Sequence, residues 1–287
     1  MTRLNLLIAP SGAVRAAWRI LVFVAVFLGS VVLLAALFNP VLTAVAGFTG
    51  GPVFGNSLVL LLGALVATAV CTRALDRTGW SAVWMGRGAA RPRALSEGLL
   101  LGALAIGVPC LVLVTVGRLG FASSPKGSWW GYAARMAVIL LPAALFEEVL
   151  TRGYLLAVLR ESIGWRSALV VTSLLFGLLH TLNAGATVQT ISVVILAGVF
   201  LGGIVLLTGS VYAAWMAHFG WNWCMAALLH SSVSGIAFHT PNYRLIDTGP
   251  AWLTGGAWGP EGGAAAAVGL LAGLAYLNAR RVRREES

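Results

Sequence analysis

Two adjacent glutamates, Glu147 and Glu148, sit inside a stretch (132–160) that otherwise reads as apolar helix. At hydrocarbon depth a carboxylate is costly unless it is paired, protonated or facing water. Arg152 follows four residues after Glu148, on the same helical face, so these two side chains can pair directly. Glu147 points about 100° away around the helix. One carboxylate is thereby neutralised, and the other stays free to act on a ligand. Two histidines recur in later apolar segments: His180, four residues after Phe176, and His218, four before Asn222. A shielded glutamate can accept a proton from water. Histidines and an amide can orient that water and stabilise a tetrahedral oxyanion. Glu147, His180 and His218 could instead ligate Zn²⁺ with an open position for water. H-E-x-x-H and G-x-S-x-G are both absent, so neither zincin spacing nor serine hydrolysis is indicated. A non-catalytic reading remains alongside: the same polar groups as an ion network that locks a membrane immunity or scaffold protein.

The elements that must position these residues are helices. Eight are predicted, at 18–38, 53–75, 95–116, 132–159, 165–182, 188–207, 211–229 and 263–277. Breakers mark the joins at Asn39-Pro40, Gly50-Gly51-Pro52 and Thr208-Gly209-Ser210. Residues ahead of Trp18 form a weakly amphipathic surface segment. At 1.5 Å per residue from the presumed cytoplasmic ends, Glu147 lies ~18 Å deep, His180 ~22 Å and His218 ~10 Å, all within a ~30 Å hydrocarbon core. G-x-x-x-G at Gly198–Gly202 and Gly269–Gly273 indicates close helix packing. His230 and His239 fall at or beyond the end of the seventh helix and read as loop residues.

Of the 287 residues 59% are hydrophobic and only 10% charged, against about 25% charged in soluble domains. Mean hydropathy is +0.90. The fold class is therefore all-α, a polytopic transmembrane bundle of about eight spans. The net charge of +10 does not indicate nucleic-acid binding, because the arginines cluster in short connections and at the two ends, the positive-inside pattern. Basic residues at the N-terminus, 73–93, 160–166 and the C-terminal tail put both termini in the cytoplasm. Arg118 and Lys126 in the 118–131 loop are the exception, and 230–262 then faces outward. High Arg, Ala and Gly usage points to a bacterial plasma membrane. Three cysteines in apolar segments, without CxxC spacing, are packing residues. The first apolar run is long enough to span and has no A-x-A-like site after it, so no cleavable signal peptide is expected. A proton-coupled transporter would favour an inverted repeat, whereas the polar cluster occupies the second half alone.

Together, Glu147-Glu148-VLT-Arg152, Phe176-GLL-His180 and His218-FGW-Asn222 resemble the E-E-x-x-x-R, F-x-x-x-H and H-x-x-x-N signatures of the CPBP family of CAAX prenyl endopeptidases and bacteriocin-processing or Abi membrane proteins. The likeness covers roughly 95–230, dividing the chain into an N-terminal pair of helices with a basic loop (1–94), a CPBP-like core (95–230), and an outer loop, last helix and basic tail (231–287). The resemblance implies an eight-helix intramembrane endopeptidase, glutamate-dependent or of metallo type, acting on a peptide or protein in or at the bilayer. It makes Glu147 the general base, has His180 hold the water, and gives the oxyanion to His218 and Asn222. Glu148, Arg152 and Phe176 take supporting roles. A prenyl-protein substrate is not expected in a bacterium.

Overall fold

A computed structural model describes residues 14–49 and 51–285. Residues 1–13 of the expected surface segment, and Gly50 of the second breaker, lie outside the described residues. Nine α-helices follow one another: α1 (Ala16–Thr49), α2 (Val53–Val70), α3 (Pro92–Thr115), α4 (Trp129–Glu148), α5 (Leu155–Leu179), α6 (Val188–Thr208), α7 (Val211–Trp223), a short α8 (Ala251–Thr254) and α9 (Ala264–Glu285). The chain is all-α apart from one addition, a two-stranded antiparallel ribbon of β1 (Leu119–Ser123) and β2 (Tyr243–Asp247), with Leu119 opposite Asp247 and Ser123 opposite Tyr243.

Four described helices are long and apolar enough to cross a membrane: Ala16–Ala46, Val53–Leu75, Pro92–Thr115 and Val188–Thr208. Their outward faces carry large exposed side chains such as Val32, Leu37, Leu100 and Leu111, as suits a lipid solvent. The other four predicted spans are helical too, but polar or interrupted. α4 ends on the glutamate pair, Gly164 breaks α5 at φ 79°, α7 is 13 residues before a π-helical turn, and α9 ends in arginines.

Local signals account for most boundaries. Ser128 and Ser210 cap α4 and α7, each accepting a hydrogen bond from the backbone N–H three residues on. Gly209, in the left-handed conformation, ends α6. Asn39-Pro40 does not end α1, contrary to expectation: the helix runs through Pro40 to Thr49. One missing backbone bond costs less than opening a helix end where no water can satisfy it.

α3 lies directly on α7. A Cβ added at Gly98 or Gly102 would overlap the carbonyl of Ala213 or Ala217, and one at Gly220 would overlap that of Leu99. The expected small-residue contacts also form, with Gly198 against the Ser173 backbone and Gly269 against Ala105. Indole N–H groups clip α7 to α4, Trp215 donating to the Leu141 carbonyl (2.8 Å) and Trp223 to Ala133 (3.0 Å). The 230–262 segment is not a simple exposed loop. Trp258 is fully buried, and His230, expected at the surface, is 3% exposed. Its ring stacks on Tyr243 (4.0 Å) while Nδ1 donates to the Tyr243 carbonyl (2.7 Å). The ribbon folds this segment back on the bundle, where a half-apolar ring gains more from packing than from water. His239 is exposed, as expected.

Candidate active site

The residues singled out on three separate helices converge. After Glu148 the chain widens into a π-helical turn, Val149–Tyr154, with Gly153 outside helical geometry; such turns bend a helix and re-aim its side chains. Within it Arg152 is fully buried. Its Nη1 donates to Glu148 Oε1 (3.1 Å) and to Thr151 Oγ1 (2.7 Å), and its Nη2 to the Gly198 carbonyl (3.2 Å). The guanidinium lies 4.1 Å from the Phe176 ring centroid, so Phe176 covers the cation while its edge and face meet His218 (5.8 Å) and His180 (4.8 Å).

Both histidine tautomers are fixed from behind. His180 Nδ1 donates to the Phe176 carbonyl (2.8 Å), an oxygen that can only accept. His218 Nδ1 donates to Glu148 Oε1 (3.0 Å). Each ring therefore presents Nε2 forward, and both Nε2 atoms face Glu147 Oε2, at 3.7 Å from His180 and 3.9 Å from His218. Those separations are too long for direct hydrogen bonds. Glu147 Oε2 is buried and has no partner within the protein, although the side chain as a whole is a quarter exposed. The site thus contains one carboxylate held through a single oxygen, Glu148 Oε1, and an unsatisfied oxygen on each glutamate, of which Glu147 Oε2 lies beside two imidazole nitrogens.

Behind the histidines lies a cavity of about 30 Å³, lined by His180, His218, Trp221 and Asn222, which is room for water and not for a peptide. Two lining residues were missed by motif reasoning, Ser234 and Glu261. Glu261 is 7% exposed. Its Oε2 accepts from the Trp221 indole (2.8 Å), and its Oε1 from the Ser234 hydroxyl (2.8 Å) and backbone N–H. A lone glutamate in a Gly- and Pro-rich stretch gives no periodic signal. Its one sequence mark is scarcity, as one of only nine acidic residues.

Among the described residues no group of three or more His, Cys, Asp or Glu side chains is arranged to hold a metal ion. Glu147, His180 and His218, the ligands expected if a metal is present, place Glu147 Oε2 3.7 Å and 3.9 Å from the two Nε2 atoms.

The cluster brings a carboxylate, two histidines and an amide together between helices of an apolar bundle. Residues 129–224, one third of the chain, match the family model for Rce1-like, type II CAAX prenyl endopeptidase. The match covers all three motifs and agrees with the resemblance to CPBP/CAAX proteases. No curated protein and no solved structure matches the chain.

Proposed function

We propose that the protein is an intramembrane endopeptidase that hydrolyses peptide bonds of membrane-associated proteins or peptides with a glutamate-activated water. The observation that carries this reading is the unpartnered Glu147 Oε2 facing two Nε2 atoms whose tautomers are fixed from behind. A water between them gives one proton to Glu147 and is oriented by His180. The resulting hydroxide attacks the scissile carbonyl carbon. Asn222, together with His218 in the form that carries a proton on both ring nitrogens, stabilises the oxyanion as it forms, and Glu147 returns the proton to the leaving amine, so proton and charge balance over the cycle. Glu148 and Arg152 hold the pieces in place. The protein crosses the membrane several times with both termini in the cytoplasm. In this reading 95–230 supplies the catalytic side chains.

Turnover of a fluorogenic peptide library in liposomes tests the proposal. Glu147→Gln is expected to remove cleavage by at least about a hundredfold, the usual worth of a general base, with folding intact. Full activity in that variant would sink the assignment. Loss of partner binding, with no cleavage by wild type on any membrane peptide, would favour a non-catalytic scaffold. Asn222→Ala is expected to lower kcat by about 10²-fold with KM little changed. Chelation tests the metallo-type alternative: turnover that survives chelators supports the metal-free route, and loss on chelation with recovery on Zn²⁺ supports Glu147, His180 and His218 as zinc ligands.

A further inference from the structure

The basic residues that break the positive-inside pattern have a structural counterpart away from the catalytic cluster. The segment between β1 and α4 and the stretch leading into β2 enclose an open cavity of about 620 Å³. Lys126, Arg135, His239 and Arg244 line it, and no acidic side chain is among its lining residues. The N-terminus of α4 opens at the same place, since its cap Ser128 also lines the cavity. A 20-residue helix adds the positive end of its dipole there. Tyr132 forms part of the wall. It is 5% exposed, Arg135 lies over its ring at 5.5 Å, and its hydroxyl has no partner within the protein. Three cations, Lys126, Arg135 and Arg244, around a cavity with no acidic lining side chain and at a helix N-terminus make a site for an anion with several acceptor oxygens.

The height of the site identifies the anion's source. α4 begins at Trp129-Trp130, and the Trp130 indole is 79% exposed. Amphipathic indoles at a helix end mark the headgroup level of a bilayer. A cavity opening beside them meets lipid phosphates at high local concentration, whereas a soluble anion would have to compete with them.

We propose that this pocket binds the phosphate of an anionic phospholipid headgroup and so anchors the β1–β2 ribbon at the membrane surface. The inference rests on the bilayer reading alone and is independent of proteolysis. The test is native mass spectrometry of the protein purified in detergent with equal phosphatidylglycerol and phosphatidylcholine. Wild type is expected to retain phosphatidylglycerol selectively. Each cation removed, as in Lys126→Ala, Arg135→Ala and Arg244→Ala, is expected to cut that preference about fivefold. Substitution of Arg73 and Arg87 by Gln, at the far end of α2 and α3, is expected to leave it unchanged. If the combined variant fails to fold, Arg244→Gln alone is read the same way. Equal losses in the pocket and control variants, or no loss in either, would overturn the site. Inorganic phosphate that binds to wild type and persists against added phosphatidylglycerol would overturn the lipid assignment.

Discussion

At the scale of single residues, the division of labour between two neighbouring carboxylates is the main result. Glu148 is fully buried, with Oε1 shared by Arg152 and His218, while Glu147 makes no such pair and turns an unsatisfied Oε2 toward both histidine Nε2 atoms. Such a set is stable only when complete. Arg152→Leu leaves Glu148 buried with a single imidazole donor, and is expected to cost about 3–5 kcal/mol of stability, read as a drop in Tm in detergent. Replacing Glu148 and Arg152 together, by Gln and Met, removes the stranded charge and is expected to regain part of that loss. Failure of the double variant to recover would mean that the loss in Arg152→Leu does not come from a stranded Glu148 charge.

Helix placement depends on a few small residues. The α3–α7 crossing brings backbone against backbone at Gly98, Gly102 and Gly220, and His218 stands one residue beyond Ala217, whose carbonyl Gly102 faces. Gly102→Ala is expected to destabilise by about 1–3 kcal/mol, as overpacking does, and to reduce activity by displacing His218. Gly29→Ala in α1, where a Cβ meets nothing within 4 Å, is the matched control and should be silent in both assays. A second placement involves Glu261, which ties the 230–262 segment to Trp221 across the cavity. Glu261→Gln sets an amide against N–H donors. Amide hydrogen exchange in 231–262 is expected to accelerate, and unchanged exchange would show that Trp258 packing alone holds the segment.

For the whole molecule, an exposed apolar periphery surrounds a small polar centre. Lipid tolerates the first; in the second, Glu148, Arg152 and His218 hold one another, and the unsatisfied atoms Glu147 Oε2, Glu148 Oε2 and Arg152 Nε gather at the site. The proposed topology places the Arg-rich end of α9 in the cytoplasm. A fluorescent protein that folds only there, fused to the C-terminus, is expected to fluoresce, and a dark fusion would overturn the cytoplasmic C-terminus.

The sequence by itself determined the helical class, the membrane environment and the chemical residues, because each leaves a local mark. Low charge and long apolar runs record a lipid solvent, and spacings of four record shared helix faces. It also anticipated the Glu148–Arg152 pair, which is a contact within one turn. Tertiary structure alone decided the rest. Which carboxylate oxygen faces both Nε2 atoms depends on α4, α5 and α7 crossing at one depth, which the separate estimates of ~18, ~22 and ~10 Å left unresolved. The Glu148–His218 hydrogen bond, the Glu261 tie and the burial of His230 join residues 70, 40 and 13 positions apart. Gly98-LLL-Gly102 has the same spacing as the other small-residue pairs, yet it is this pair that lies against α7, because helix contacts are chosen by the packing of the whole bundle and spacing within one helix does not name the partner.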